Sequence, residues 1–174
     1  MKSITRALTL VVLLGGCATK TADNPRLELT DVGFALHLPA PMQQALDSVA
    51  PGFKVVRASS FRSDVAQAAG AGGVAGAAAF AALGDWNHDG ALDAVVEGAS
   101  PGSSSLTVIA ILNGPHPSAI EVTRFAEYDA DAVGIYLTGA PPNGEATFSV
   151  VAYPDSTLVY RWVDGKLEGH TIRQ

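Results

Sequence analysis

The chain of 174 residues contains a single cysteine, Cys17, so it has no means of stapling itself internally with a disulfide. Basic residues are also few. Eleven Lys+Arg stand against 17 Asp+Glu, giving a formal net charge of -6 and a pI near 5.0, a balance that argues against a surface built for nucleic-acid phosphates. The apolar run near the amino terminus, Ala7 to Leu14, is far shorter than the roughly 20 residues a membrane-crossing helix requires. Aromatic residues make up only 7% of the chain, and alanine supplies much of the 48% counted as hydrophobic, so large core side chains are scarcer than the percentage implies. At 16% charged residues, the composition still excludes a wholly disordered chain. Its length fits one modest domain.

What is present begins with two positive charges, Lys2 and Arg6, followed by the apolar run and the small residues Gly15 and Gly16. This is the layout of an export signal over residues 1–16. The string Leu14-Gly15-Gly16-Cys17 resembles the lipobox of bacterial lipoproteins. The resemblance implies cleavage before Cys17, acylation of its thiol and new amino group, and attachment to the membrane through the lipid. Ala18 in place of aspartate points, by the same resemblance, to the outer membrane. Several acyl chains on one residue anchor stably where a single chain is marginal. Residues 17–26 then read as the lipidated cysteine and a polar tether. Loss of Lys2 and Arg6 with the signal leaves the remainder more acidic.

Residues 27–174 read as one β-rich domain. Leu27, Leu29, Val32, Phe34 and Leu36 predict an extended entry segment. A short helix follows, with Pro41 in its first turn, Met42, Ala45, Leu46 and Val49 on one face, and Pro51-Gly52 as its stop. The stretch from Ala66 to Ala82 is almost wholly Ala and Gly; its glycines each cost about 1 kcal/mol in a helix, which predicts a mobile loop running into a strand near Phe80. Apolar runs bounded by turn residues then recur at Leu92–Glu97, Leu106–Leu112, Ile120–Phe125, Val133–Leu137 and Ala146–Ala152. Thr157–Val163 and Lys166–Ile172 flank Asp164-Gly165, the dipeptide favoured in type I′ hairpins. Leu158, Tyr160 and Trp162 share a face there that is expected to cover the core. The expected fold is mainly β, at the margin of α+β: an antiparallel meander with one short N-terminal helix.

The one segment with identifiable chemistry is Asp85-Trp86-Asn87-His88-Asp89-Gly90-Ala91-Leu92-Asp93. Oxygen-bearing side chains occupy loop positions one, three, five and nine, and a glycine stands at position six. Calcium is a hard cation that takes six to eight oxygen ligands, and alternate positions of a tight loop can turn them inward. The expected cofactor is Ca²⁺, held by Asp85, Asn87, Asp89 and Asp93, the Ala91 carbonyl and water. An EF-hand would close on a bidentate glutamate at position twelve, where this chain has Val96. The short loop between strand-like segments resembles the calcium loops of FG-GAP and VCBS repeats. That likeness runs from Phe80 to Gly102, with Gly84-Asp85 opening the loop and Gly98-Ala99-Ser100-Pro101 near the family's Gly-Ala-Pro corner, whereas Ala81 replaces the glycine of its Phe-Gly pair. A propeller needs at least four blades and the chain has no second aspartate loop, so a complete propeller is not expected.

No catalytic residue is assigned. His37, His88, His116 and His170 are scattered, and neither a Gly-x-Ser-x-Gly elbow nor a phosphate-binding glycine loop is present. Glu121, Glu127, Asp129 and Asp131 read as a solvated acidic edge. The sequence therefore predicts a noncatalytic, calcium-stabilised lipoprotein of the outer membrane, with an envelope protein or polysaccharide as partner and no nucleic acid. The alternative is an envelope hydrolase whose catalytic groups assemble from separate loops.

Overall fold

In the computed structural model the described residues are 23–31, 33–71, 79–126, 129, 132–139 and 147–173. The signal, Cys17, most of the tether, and the carboxylates Glu127 and Asp131 lie outside them. The chain enters as a hairpin of β1 (Arg26–Thr30) and β2 (Gly33–His37), which realises the expected extended segment as two paired strands. The helix α1 spans Ala40–Val49 and buries Met42, Ala45 and Leu46 on the anticipated face. After the short strand β3 (Lys54–Val55) and a 3₁₀ turn at Ala58–Ser60 comes a second helix, α2 (Ser63–Ala71). Here the structure corrects the sequence reading: residues 66–71 are helical rather than loop. Val65, fully buried, anchors the helix, and Gly70 falls in its last turn, where the helical cost of glycine matters least. Residues 72–78 are not among those described.

Two antiparallel sheets carry the rest. The first has the order β3-β5-β6-β7, with β4 (Ala81–Gly84) also paired to β5. Its longer members are β5 (Asp93–Ala99), β6 (Leu106–Leu112) and β7 (Ser118–Phe125). The second runs β11-β10-β9-β8, from β8 (Ile135–Thr138) and β9 (Thr147–Ala152) to β10 (Ser156–Val163) and β11 (Lys166–Arg173). The turn between β10 and β11 has Asp164 and Gly165 at φ 48° and 78°, the positive pair a type I′ turn demands. The fold is mainly β and antiparallel, with two helices where one was expected; no closed barrel or propeller forms among the described residues.

The first sheet is covered on both faces. Ala94, Val96, Ile109 and Ile111 pack with Met42 and Leu46 of α1. The alternate residues Val95, Val108 and Ala110 pack with Leu137, Phe148, Val150 and Tyr160 of the second sheet. Six of the seven residues of β5 and all seven of β6 are buried, which explains why these segments read as unbroken apolar runs rather than as alternation. Phe148 is the hinge of the inter-sheet layer: its ring stacks on Tyr160 at 5.2 Å and meets Trp86 edge-on at 5.4 Å. Tyr160 is buried and Leu158 packs against the same cluster, so these two residues of the predicted β10 face cover the core, whereas Trp162 is partly buried and stands outside that cluster.

Phe148→Ala is expected to lower stability by about 3–5 kcal/mol through lost burial and the cavity left behind, whereas Leu29→Ala, at a side chain 73% exposed, should stay within about 0.5 kcal/mol. Urea unfolding curves of the two variants provide the check.

Candidate functional site

The loop from Asp85 to Asp93 joins β4 to β5, two strands paired edge to edge through Gly84 and Asp93. Its first step is set by a small residue. A Cβ at Gly84 would stand 2.5 Å from the Trp86 ring, so only glycine lets the indole fold back over the strand and enter the inter-sheet core. Beyond Trp86 the chain turns through a sequence of bends, with His88 at φ 61° and Gly90 at φ 87°. Gly90 adopts this left-handed backbone without the steric cost a side chain would add. His88 is exposed, as expected, and so is Asp89 beside it.

Carboxylates hold the turn in shape. The two oxygens of Asp85 accept the backbone N–H groups of Asp89 and Gly90, each at 3.0 Å. Asp89 accepts the Ala91 N–H at 2.8 Å, and Asn87 accepts the Asp89 N–H at 3.2 Å while donating its own amide to Asp89 at 3.0 Å. Asp93 has turned inward. It is fully buried, accepts the Trp86 N–H at 2.9 Å and, across the sheet end, the Asn113 N–H at 2.8 Å. Burial pushes its carboxyl up to about 6; the negative charge of Asp89 adds to the rise, and the N–H groups it accepts oppose it. None of the ion pairs among the described residues involves Asp85, Asp89 or Asp93.

Asp85, Asn87, Asp89, Ala91 and Asp93 are thus brought into one turn, but among the described residues no three His, Cys, Asp or Glu side chains gather closely enough to form a metal cluster. Asp85 and Asp93 instead accept different backbone amides, Asp85 those of Asp89 and Gly90 and Asp93 those of Trp86 and Asn113. The donor chemistry nevertheless suits a hard cation. Every side-chain candidate presents oxygen, and a carboxylate oxygen that accepts one N–H retains a second lone pair.

The amino-terminal segment contributes a contact that the sequence does not announce. Asn24 accepts the Leu92 N–H through its side-chain oxygen at 3.2 Å, and the Asn113 amide donates to the Asp23 carbonyl at 3.1 Å. The last residues of the expected tether are therefore clipped to the loop and to the β6–β7 turn. The other residues singled out do not converge on this place. His37 pairs with Glu28 on the entry hairpin, His116 is exposed in the β6–β7 turn, and His170 is exposed on β11. Glu121 is held by Arg124 through two hydrogen bonds at 2.6 and 3.2 Å on the exposed side of β7.

Sequence reasoning also missed Glu97. Its backbone is satisfied, with N–H donated to the Phe80 carbonyl and C=O accepting the Val56 N–H, each at 3.0 Å. Its carboxyl is fully buried, and among the described residues neither of its oxygens has a hydrogen-bond partner, nor does the Trp86 indole N–H. Burial alone holds the Glu97 carboxyl well above the usual carboxylate range. The available signal was the continuation of the strand through Gly98-Ala99, which places Glu97 inside the buried stretch and on the same face as Val95.

Both raised carboxyls act on stability with one sign. Above the ordinary carboxylate value the unfolded chain releases the proton and the folded chain keeps it, so folding is most favourable at low pH and weakens as pH rises. For Asp93 the window runs from 3.8 to about 6; for Glu97 it opens at 4.5 and extends well above. Glu97→Met should raise stability near pH 7.5 by about 1–3 kcal/mol, since it removes an unsatisfied buried polar group, and should flatten the decline above pH 6. Chemical denaturation at stepped pH tests this, and an unchanged slope would count against the assignment.

No family model matches the chain, and neither does any curated protein or solved structure.

Proposed function

We propose that the chain is a lipid-anchored protein of the bacterial outer membrane whose β-rich domain is stabilised by Ca²⁺ and serves a noncatalytic binding or envelope-structural role, toward an envelope protein or polysaccharide. The observation that carries the reading is the β4–β5 turn, where Asp85, Asn87, Asp89 and Asp93 supply side-chain oxygens at loop positions one, three, five and nine and no basic residue among the described residues is paired to them. Those four side chains and the Ala91 carbonyl would hold the ion. Calcium there would supply charge neutralisation and a clamp on the turn, fixing the register of β4 against β5. The loop is of the FG-GAP and VCBS kind, and three carboxylates with one amide suit a modest affinity, on the order of 10⁻⁴–10⁻³ M. The anchor rests on the succession of Lys2, Arg6, the apolar run, Gly15-Gly16 and Cys17.

A ligand that binds only the folded state stabilises by about 2.7 kcal/mol at one hundred times its Kd. Calcium at saturating concentration should therefore raise Tm by several degrees, chelator should reverse the rise, and Mg²⁺, which demands stricter octahedral geometry, should do less. Asp89→Asn should abolish the calcium response. A melting curve indifferent to calcium and chelator alike sinks the metal reading. The anchor is tested separately by labelled palmitate: incorporation should be lost in Cys17→Ala, with the protein moving from the membrane pellet to the soluble fraction. Equal labelling of the variant would refute acylation at Cys17.

A further inference from the structure

The entry hairpin does not lie flat on the domain. Between it, α1 and the segment 53–59 is a cavity of about 640 Å³. Phe34, Leu36 and Leu38 wall it from the hairpin side, Leu46 and Phe53 face them, and Phe80 also lines it. Phe34 remains 46% exposed, an aromatic ring left open to water on a chain with few aromatics. The charged residue of the lining is Arg57, which is exposed and immediately precedes the 3₁₀ turn. The arginine ion pairs seen among the described residues belong to other guanidinium groups, Arg62 with Asp64 and Arg124 with Glu121. The other long polar side chain of the lining, Gln43, already donates to Asp47 at 3.0 Å.

We propose that this cavity is a binding site for a single-chain anionic amphiphile, with the acyl tail among Phe34, Leu36, Leu46, Phe53 and Phe80 and the acidic head on the Arg57 guanidinium. Its volume falls within the range of about 300–1,000 Å³ typical of small-molecule sites, and its character, apolar walls with few polar groups, is theirs too. A guanidinium with no carboxylate partner among the described residues matches a carboxylate or phosphate head bidentately. A peptide fits the walls less well, because its amide groups would be buried without partners. Arg57 thereby distinguishes acidic from neutral amphiphiles, and the hydrocarbon walls set the preferred tail length. The site is independent of the calcium loop and of the acylation of Cys17.

The test uses the full chain carrying Cys17→Ser, which retains every described residue and removes any acyl chain of its own as a competitor. Titration calorimetry with decanoate, dodecanoate and dodecyl phosphate should show saturable one-to-one binding. Affinity for the carboxylates should tighten by roughly fourfold per added methylene until the cavity is filled. The dodecanoate and dodecyl phosphate arms separate a carboxylate head from a phosphate head; tighter binding of either supports the site and names its head group. Arg57→Gln should weaken both by roughly tenfold while leaving dodecanol binding unchanged. Ala58→Trp, which puts an indole into the cavity lining beside the hairpin, should abolish binding of all four probes; if that variant does not fold, the neighbouring lining variant Ser59→Trp takes its place. Absence of saturable binding overturns the proposal, as does an affinity for dodecanoate that neither Arg57→Gln nor the tryptophan variant alters.

Discussion

Much of the molecule's order at one end of the first sheet depends on the Asp93 carboxylate. It sits at the start of β5 with no exposure to solvent and binds two backbone amides that are distant in sequence, those of Trp86 and Asn113. The first bond closes the β4–β5 turn and delivers the Trp86 ring to the inter-sheet core. The second fastens the end of β6 to the same point. A buried carboxylate is costly unless its oxygens are satisfied, so the turn, the indole and the sheet end stand or fall together. Removing the carboxylate would leave two amides without acceptors and the large Trp86 side chain without a fixed approach.

Alanine and glycine, which seemed to dilute the core, are what permit the layers to close. Ala81 and Ala94 lie under α1, and Ala82 and Ala110 lie under the second sheet. At those places the backbones approach closely, and the bulk of each layer comes from a few large side chains: Met42 and Leu46 on one side, Trp86, Phe148 and Tyr160 on the other. The thin supply of aromatics is concentrated where the two sheets meet. Glu97 stands against this economy, its buried carboxyl without a partner among the described residues, set where β3 and β4 meet the same edge of β5.

Local chemistry was legible in the residues. Pro41 and Pro51-Gly52 bracket α1, Leu106–Leu112 reads as β6 because its run is unbroken between turn residues, and Asp164-Gly165 places the last hairpin. The Ala/Gly segment misled for a physical reason: intrinsic glycine cost is a weak prior, and the burial of Val65 outweighs it over residues 63–71. The partition of the strands into two sheets, the burial of Glu97 and the clip formed by Asp23 and Asn24 depend on contacts between residues far apart in sequence, which no periodicity encodes. The loop is the intermediate case. Its spacing brings Asp85, Asn87, Asp89 and Asp93 into one turn, but the orientation of each carboxylate is decided by backbone amides, one of them twenty residues away.

The attachment of Asp23 and Asn24 to Leu92 and Asn113 has a geometric corollary. Only six peptide links separate Cys17 from Asp23, and a chain reaches at most about 3.6 Å per residue, so the loop end of the domain stays within roughly 20 Å of Cys17 however that segment is arranged. With an acylated Cys17 seated in a bilayer, the acidic turn would stand close to the headgroups, where the anionic surface potential concentrates cations. Any cation meeting the turn would then be drawn from the concentration at the membrane surface, not from that of the bulk fluid.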